Sequence, residues 1–252
     1  VNTTSNSNKI ASLKTLSSNL LDKTLAEIRL HRKESSPPKE EYFLTAEYLL
    51  QEAMEYVAGA WEMIESGKSN ASIALSRWVL EASLNLLWTV ADSDKIEERH
   101  WALIGEALRN NACLSEGYAK LWPDKSQLFK ENATKARKAR NDLGVEKLKS
   151  LNIRLESIKR QPEKTNWPEL YPLYRTCCAA AHPSIKVWER FSSASNSIVS
   201  KKPIGKQSIA CWMAAASTFY LAIFTYRLTE LGDSKQLKHW WENKVRPLLK
   251  DD

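Results

Sequence analysis

The stretch Ala46–Val90, "AEYLLQEAMEYVAGAWEMIESGKSNASIALSRWVLEASLNLLWTV", decides the fold class. Its apolar residues keep a helical period up to Ser66, stop at Gly67 and resume after Asn70. That period belongs to an α-helix with one buried face. Glycine reaches φ > 0 without a Cβ penalty and commonly stands just past a helix end. Ser69 or Asn70 can then accept the first backbone N–H bonds of the next helix. Two long helices joined by about four residues fold back on each other as an antiparallel hairpin.

The remainder of the chain extends this pattern. Of 252 residues 43% are hydrophobic, yet only 7 are Gly and 9 are Pro. Sheet proteins need frequent turn residues, so this composition argues against a β-sandwich. Upstream, Ile10, Leu13, Leu20, Leu21, Leu25 and Ile28 form an apolar stripe on a polar helix that Pro37 and Pro38 interrupt. We read 1–38 as an N-terminal helical arm with its linker and 39–252 as a single all-α, helical-bundle domain. Downstream, Asp94 and Glu97 have the spacing of a capping box for a third core helix. The first turn that follows, with Glu97, Glu98 and His100, is expected in solvent. The basic helices break near Gly144, and an apolar helix over 207–231 is expected to end at Gly232. Ten Trp residues belong mostly in cores or grooves, and His239-Trp240-Trp241 suggests an interface or a packed C-terminal helix.

Ile209–Tyr226, "IACWMAAASTFYLAIFTY", runs 18 residues without a charge, which meets the length of a membrane span. Its Ala, Ser and Thr content in an otherwise polar chain favours a buried central helix. The N-terminal "VNTTSNSNKIASLK" has no apolar signal core. The expectation is a cytoplasmic protein without membrane association. Cys113, Cys177, Cys178 and Cys211 make no CxxC pair, and the four histidines are scattered. No group has zinc or di-iron spacing, so neither a metal nor a cofactor is expected, and the cysteines read as reduced packing residues.

The formal charge of +7 is uneven: Lys130 to Lys164 holds eleven Lys/Arg against five Asp/Glu. A helical basic tract of this kind is either a footprint for a phosphate backbone, with Lys135, Arg137, Lys138 and Arg140 as its contacts, or an ordinary solvated face. No aromatic residue interrupts it to stack on bases.

The densest chemistry lies in Tyr174–Ser184, "YRTCCAAAHPS". Arg175 and His182 are seven residues apart, about 20° short of two helical turns, so they share a face with Tyr171, Cys178 and Lys186. Pro183 places His182 at a helix end or kink. Arginine forks onto phosphate oxygens, and histidine exchanges a proton near neutral pH. Beside a ribose 2′-hydroxyl the pair could cleave RNA without metal, with a second histidine from a symmetric subunit as the missing acid or base. With 13 arginines and 4 histidines, chance supplies about 0.6 such pairs, so the spacing alone is weakly specific. Arg77 and Glu81 are i and i+4 on an apolar helix. They form an intrahelical ion pair, or Glu81 reaches across to Arg175 or His182.

The hairpin, the late Arg-x6-His, the R-x-x-x-E at Arg77–Glu81 and the Y-x-x-x-C-x-x-x-HPS at Tyr174–Cys178–His182 resemble the HEPN superfamily. Within it they look closest to a group of uncharacterised bacterial helical proteins. The resemblance spans about 45 to 230 and implies a HEPN-like helical bundle, often dimeric, with metal-independent RNA endonuclease activity in active members. It carries Arg175 and His182 over as the catalytic pair, with Arg77, Glu81, Tyr174 and Cys178 behind them; Lys186, on the same helical face, is a further candidate RNA contact by position alone. It implies RNA, such as tRNA or phage or host mRNA, as partner, with a regulatory or antitoxin protein, in a toxin or phage-defence role. The alternative is a non-catalytic helical module that binds a protein or nucleotide in the same groove.

Overall fold

The computed structural model describes residues 3–144, 167, 170–181, 204–231 and 234–249. Among them every regular element is helical and no strand occurs. The chain divides into two compact units, one drawn from Val1–Leu87 with Pro162–Asp252 and the other from Trp88–Gln161.

The first unit contains α1 (Thr3–Arg32), α2 (Lys39–Glu65), most of α3 (Ser69–Val90), α6 (Leu170–Ala181), α7 (Ile204–Thr229) and α8 (Ser234–Trp240). A π-helical segment, Trp241–Val245, and a final turn, Arg246–Leu249, follow α8. The expected hairpin is α2–α3. Gly67 stands at φ +72°, and the N–H groups of Lys68 and Gly67 bond the carbonyls of Met63 at 2.7 Å and Ile64 at 3.0 Å. This pair of bonds satisfies two orphan carbonyls of α2. Ser69 and Asn70 lie inside α3 instead of capping it.

The helix read as an arm is part of the core. Ile10, Leu13, Leu20, Leu21, Leu25 and Ile28 are all buried, and α1 packs on both α2 and α7. Burying an aliphatic side chain of this size is worth about 1.5–3 kcal/mol, so six at helical spacing cannot stay in water once a complementary surface is near. Lys14 bonds Glu65 at 2.9 Å and Arg29 bonds Glu47 at 2.8 Å across the α1–α2 seam, and Arg32 joins the same carboxylate.

The wall that α1 and α2 complete is α7. It is long and apolar enough to cross a membrane, but 83% of its most apolar window is buried inside the protein. Two of its buried threonine hydroxyls turn back on their own helix: Thr218 donates to the Ala214 carbonyl at 2.8 Å and Thr229 to that of Thr225 at 2.9 Å. Such i−4 bonds let polar residues sit in an apolar interior. Trp241 stacks on Phe219 of α7 with centroids 5.0 Å apart, which settles the C-terminal tryptophan pair as packing at this position. The stop at the far end of α7 is not the glycine: Glu230 takes φ +55° and the Leu231 N–H bonds the Tyr226 carbonyl at 3.1 Å. Gly232 lies outside the described residues.

The second unit contains α4 (Ile96–Leu121) and α5 (Ser126–Asp142), packed along each other. Asp94 sits in a short 3₁₀ turn, Ser93–Lys95, and α4 begins without a side-chain cap, contrary to the capping box. Arg99 organises this junction instead. It donates to the Trp88 carbonyl at 2.7 Å, lies 3.5 Å from Asp92 and stands over the Trp88 ring at 5.2 Å. His100, expected in solvent, is fully buried with its ring 5.2 Å from that of Trp101. The α5 helix stops as read, with Gly144 at φ +68°.

Two stability measurements check this account. Ile28→Ala should lower the unfolding free energy by about 2–5 kcal/mol in urea titration, as for a core aliphatic; an arm would change it by less than about 0.5 kcal/mol. Glu230→Gly should raise it by about 0.5–1 kcal/mol, because the left-handed conformation costs a non-glycine residue and the lost ion pair with Lys39 is exposed.

Candidate functional site

Four of the sequence candidates converge in the first unit. Helix α3 presents Arg77 and Glu81 one turn apart, with Nε of Arg77 3.9 Å from Oε2 of Glu81. Helix α6 presents Tyr174 and Cys178, also one turn apart. The guanidinium of Arg77 stands over the Tyr174 ring, 5.9 Å from its centroid. The i,i+4 pair expected between Arg77 and Glu81 is therefore present, and a tyrosine 97 positions later in the chain completes it.

The sequence pattern of α6 explains why these side chains meet. At 100° per residue, Leu170, Leu173, Tyr174 and Cys177 form a continuous arc, and all four are buried. Cys178 lies at the edge of that arc, half-buried, while Arg175 and Thr176 are exposed. The Cys177 thiol points to the Met213 sulfur of α7 at 3.9 Å, which ties the inner face of α6 to the central helix. Trp167, just ahead of α6, packs edge-on against Tyr220 and Phe224 of α7 at 5.7 and 5.6 Å. Arg227 covers its ring at 5.4 Å, and burial lowers the pKa of that arginine. Nothing in the local sequence marks Trp167 as an anchor, since its partners Tyr220, Phe224 and Arg227 lie more than 50 residues further along the chain.

Electrostatics follow from the burial. The contact with the Tyr174 side chain raises the Arg77 pKa, against the opposing effect of desolvation. Burial pushes the Tyr174 phenol up to about 12, helped by its hydrogen bond with Cys178 and the nearby Glu81 carboxylate, while Arg77 acts the other way. Burial likewise pushes the Cys177 thiol up to about 12, so it stays protonated and unreactive at neutral pH. All four cysteines are free.

Arg175 therefore stands on the outer face of the helix whose inner face holds the cluster. His182, Pro183 and Lys186 lie outside the described residues, as does the basic tract beyond Gly144. Lys135, Arg137, Lys138 and Arg140 belong to α5, in the other compact unit. Lys135 and Lys138 are exposed, Arg137 pairs with Glu116 of α4, and Arg140 is half-buried. Among the described residues no three His, Cys, Asp or Glu side chains gather as a metal site.

A separate groove of about 460 Å³ lies among α1, α7 and α8, with Leu20, Leu237 and Trp240 on its apolar side. Tyr226 donates to the Glu27 carboxylate at its polar edge, and burial with that carboxylate raises the tyrosine pKa.

No family model matches the chain, and neither a curated protein nor a solved structure is significantly similar to it.

The cluster has a titration signature. A phenol whose folded pKa stands near 12 against an ordinary 10.0 contributes stability that is intact below pH 10 and lost as pH rises through 12. Ultraviolet titration should show late-ionising tyrosines, Tyr174 and Tyr226 among them, and Tyr174→Phe should remove one of them, with a shallower alkaline loss of stability in that variant. Ionisation of Tyr174 together with exposed tyrosines near pH 10 would refute the buried cluster.

Proposed function

We propose that the chain is a metal-independent RNA endonuclease of HEPN type that works as a homodimer in a toxin or phage-defence role. The observation that carries this reading is the meeting of Arg77 with Tyr174 across α3 and α6. It joins two of the short motifs on which the HEPN resemblance rests, and Arg175 is exposed on the same helix as Tyr174.

In this mechanism Arg175 forks onto the scissile phosphate and stabilises charge on the phosphorane. His182 takes the proton from the ribose 2′-hydroxyl. The 2′-oxygen bonds to phosphorus, the bond to the 5′-oxygen breaks, and a second His182 from the symmetric subunit protonates the leaving 5′-oxygen. The products are a 2′,3′-cyclic phosphate and a 5′-hydroxyl. Arg77 and Tyr174 act by position: they hold the inner face of α6 and thereby orient Arg175. The cations of α5 retain the RNA backbone.

The test is incubation of the purified protein with total RNA in excess EDTA. Wild type should leave 2′,3′-cyclic phosphate ends, and Arg175→Ala and His182→Ala should each lower cleavage at least about 100-fold. Absence of cleavage by wild type, with both variants engaging a protein or nucleotide partner as wild type does, would establish the non-catalytic module instead.

A further inference from the structure

The basic tract lacks aromatic residues along the sequence, but the fold supplies them. At the turn between α4 and α5, Tyr118 and Trp122 come within 5.2 Å of each other, centroid to centroid. Phe129, on the first turns of α5, lies 5.5 Å from Tyr118 and 6.0 Å from Trp122. Phe129 is partly buried beneath the other two, whereas Tyr118 is 41% exposed and Trp122 48% exposed. The three rings, tilted on one another by 36° to 55°, form a cluster in which Tyr118 and Trp122 stay exposed.

A row of cations begins beside that cluster. Ala133 and Ala136 of α5 are buried, which defines the inner side of the helix. On the opposite side Lys130, Lys135 and Lys138 are exposed within an arc of about 140° and spread over about 12 Å of helix. Glu131 shares that arc and is bonded by Gln127 at 3.0 Å. Over Ser126–Asp142 five Lys/Arg face two acids.

We propose that this surface of the second unit holds single-stranded RNA, with Tyr118 and Trp122 stacking on bases and Lys130, Lys135 and Lys138 meeting phosphates. The proposal rests on the RNA reading above and assigns its binding surface. Exposed rings accept any base, and a linear row of charge complements a linear polyanion. Desolvated protein interfaces are depleted in lysine, yet here Lys120, Lys125 and Lys130 interleave with the apolar side chains. Cations at the apolar end alone would also suit a membrane-inserting tip; Lys135 and Lys138 extend the row along the helix away from that end, as a linear polyanion requires.

The experiment uses the full chain carrying Arg175→Ala, which suppresses cleavage, and a labelled single-stranded RNA of about 12 nucleotides, followed by fluorescence anisotropy across a salt series. Trp122→Ala and Tyr118→Ala should each weaken binding about 5- to 100-fold, and Trp122→Phe should retain most of it. Lys130→Gln, Lys135→Gln and Lys138→Gln should each reduce the salt slope by about 0.7. Unchanged affinity and slope in these variants would overturn the assignment. So would Trp122→Ala abolishing attachment to phosphatidylserine vesicles, or dissociating a dimer in sedimentation, while RNA binding is retained. The two readings fail separately. RNA bound as described but never cleaved by wild type removes the nuclease and keeps this surface. RNA cleaved by wild type with the same KM after Trp122→Ala and the lysine changes removes this surface and keeps the nuclease.

Discussion

A helix that is apolar on every side must be enclosed on every side, and α7 is that helix. From Ala210 to Thr225 only Trp212 is less than buried. Amphipathic helices satisfy burial with one neighbour; α7 requires several. This requirement recruits α1 into the core, sets α2 against the same wall and draws the C-terminal Trp241 onto Phe219. It also holds α6, through the sulfur contact of Cys177 with Met213 and through Trp167 ahead of the helix.

The candidate site is a consequence of how α6 is held. Its inner arc faces α7 at Cys177 and α3 at Tyr174. A half-buried guanidinium needs a partner, since desolvation of an unpaired charge is costly. Arg77 has two partners, the Glu81 carboxylate on its own helix and the Tyr174 side chain on the next. Rotation of α6 by one residue would withdraw Tyr174 and bury Arg175. The position of Arg175 in solvent is therefore set by groups that themselves need never touch a substrate.

Local signals were legible where local physics decided the outcome. The stop at Gly67 and the break at Gly144 follow from backbone freedom, and both glycines have positive φ. The buried stripe of α1 was also readable residue by residue, but a stripe says that a face is covered and not by what, so the helix was misread as an arm. The capping pattern at Asp94 yielded to Arg99, which bonds the preceding helix end directly. Glu230 occupies the left-handed position that Gly232 was expected to serve, because the chain closes α7 with the Leu231 N–H. At the site, the Arg77–Glu81 spacing predicted its own ion pair. The partnership with Tyr174 is tertiary, and no period or spacing contains it; the two short motifs at Arg77–Glu81 and Tyr174–Cys178 marked both residues without joining them. The ring cluster of Tyr118, Trp122 and Phe129 was hidden for the same reason, since its members straddle a turn.

The central claim is that Arg77 and Tyr174 form an energetic link between α3 and α6. A double-mutant cycle in urea unfolding measures it directly, with Arg77→Met, Tyr174→Leu and the pair. The account predicts a coupling of about 1 kcal/mol or more, so that the double variant loses less than the two single losses added together. Losses that add within about 0.5 kcal/mol would contradict it and leave the two residues as neighbours without a bond.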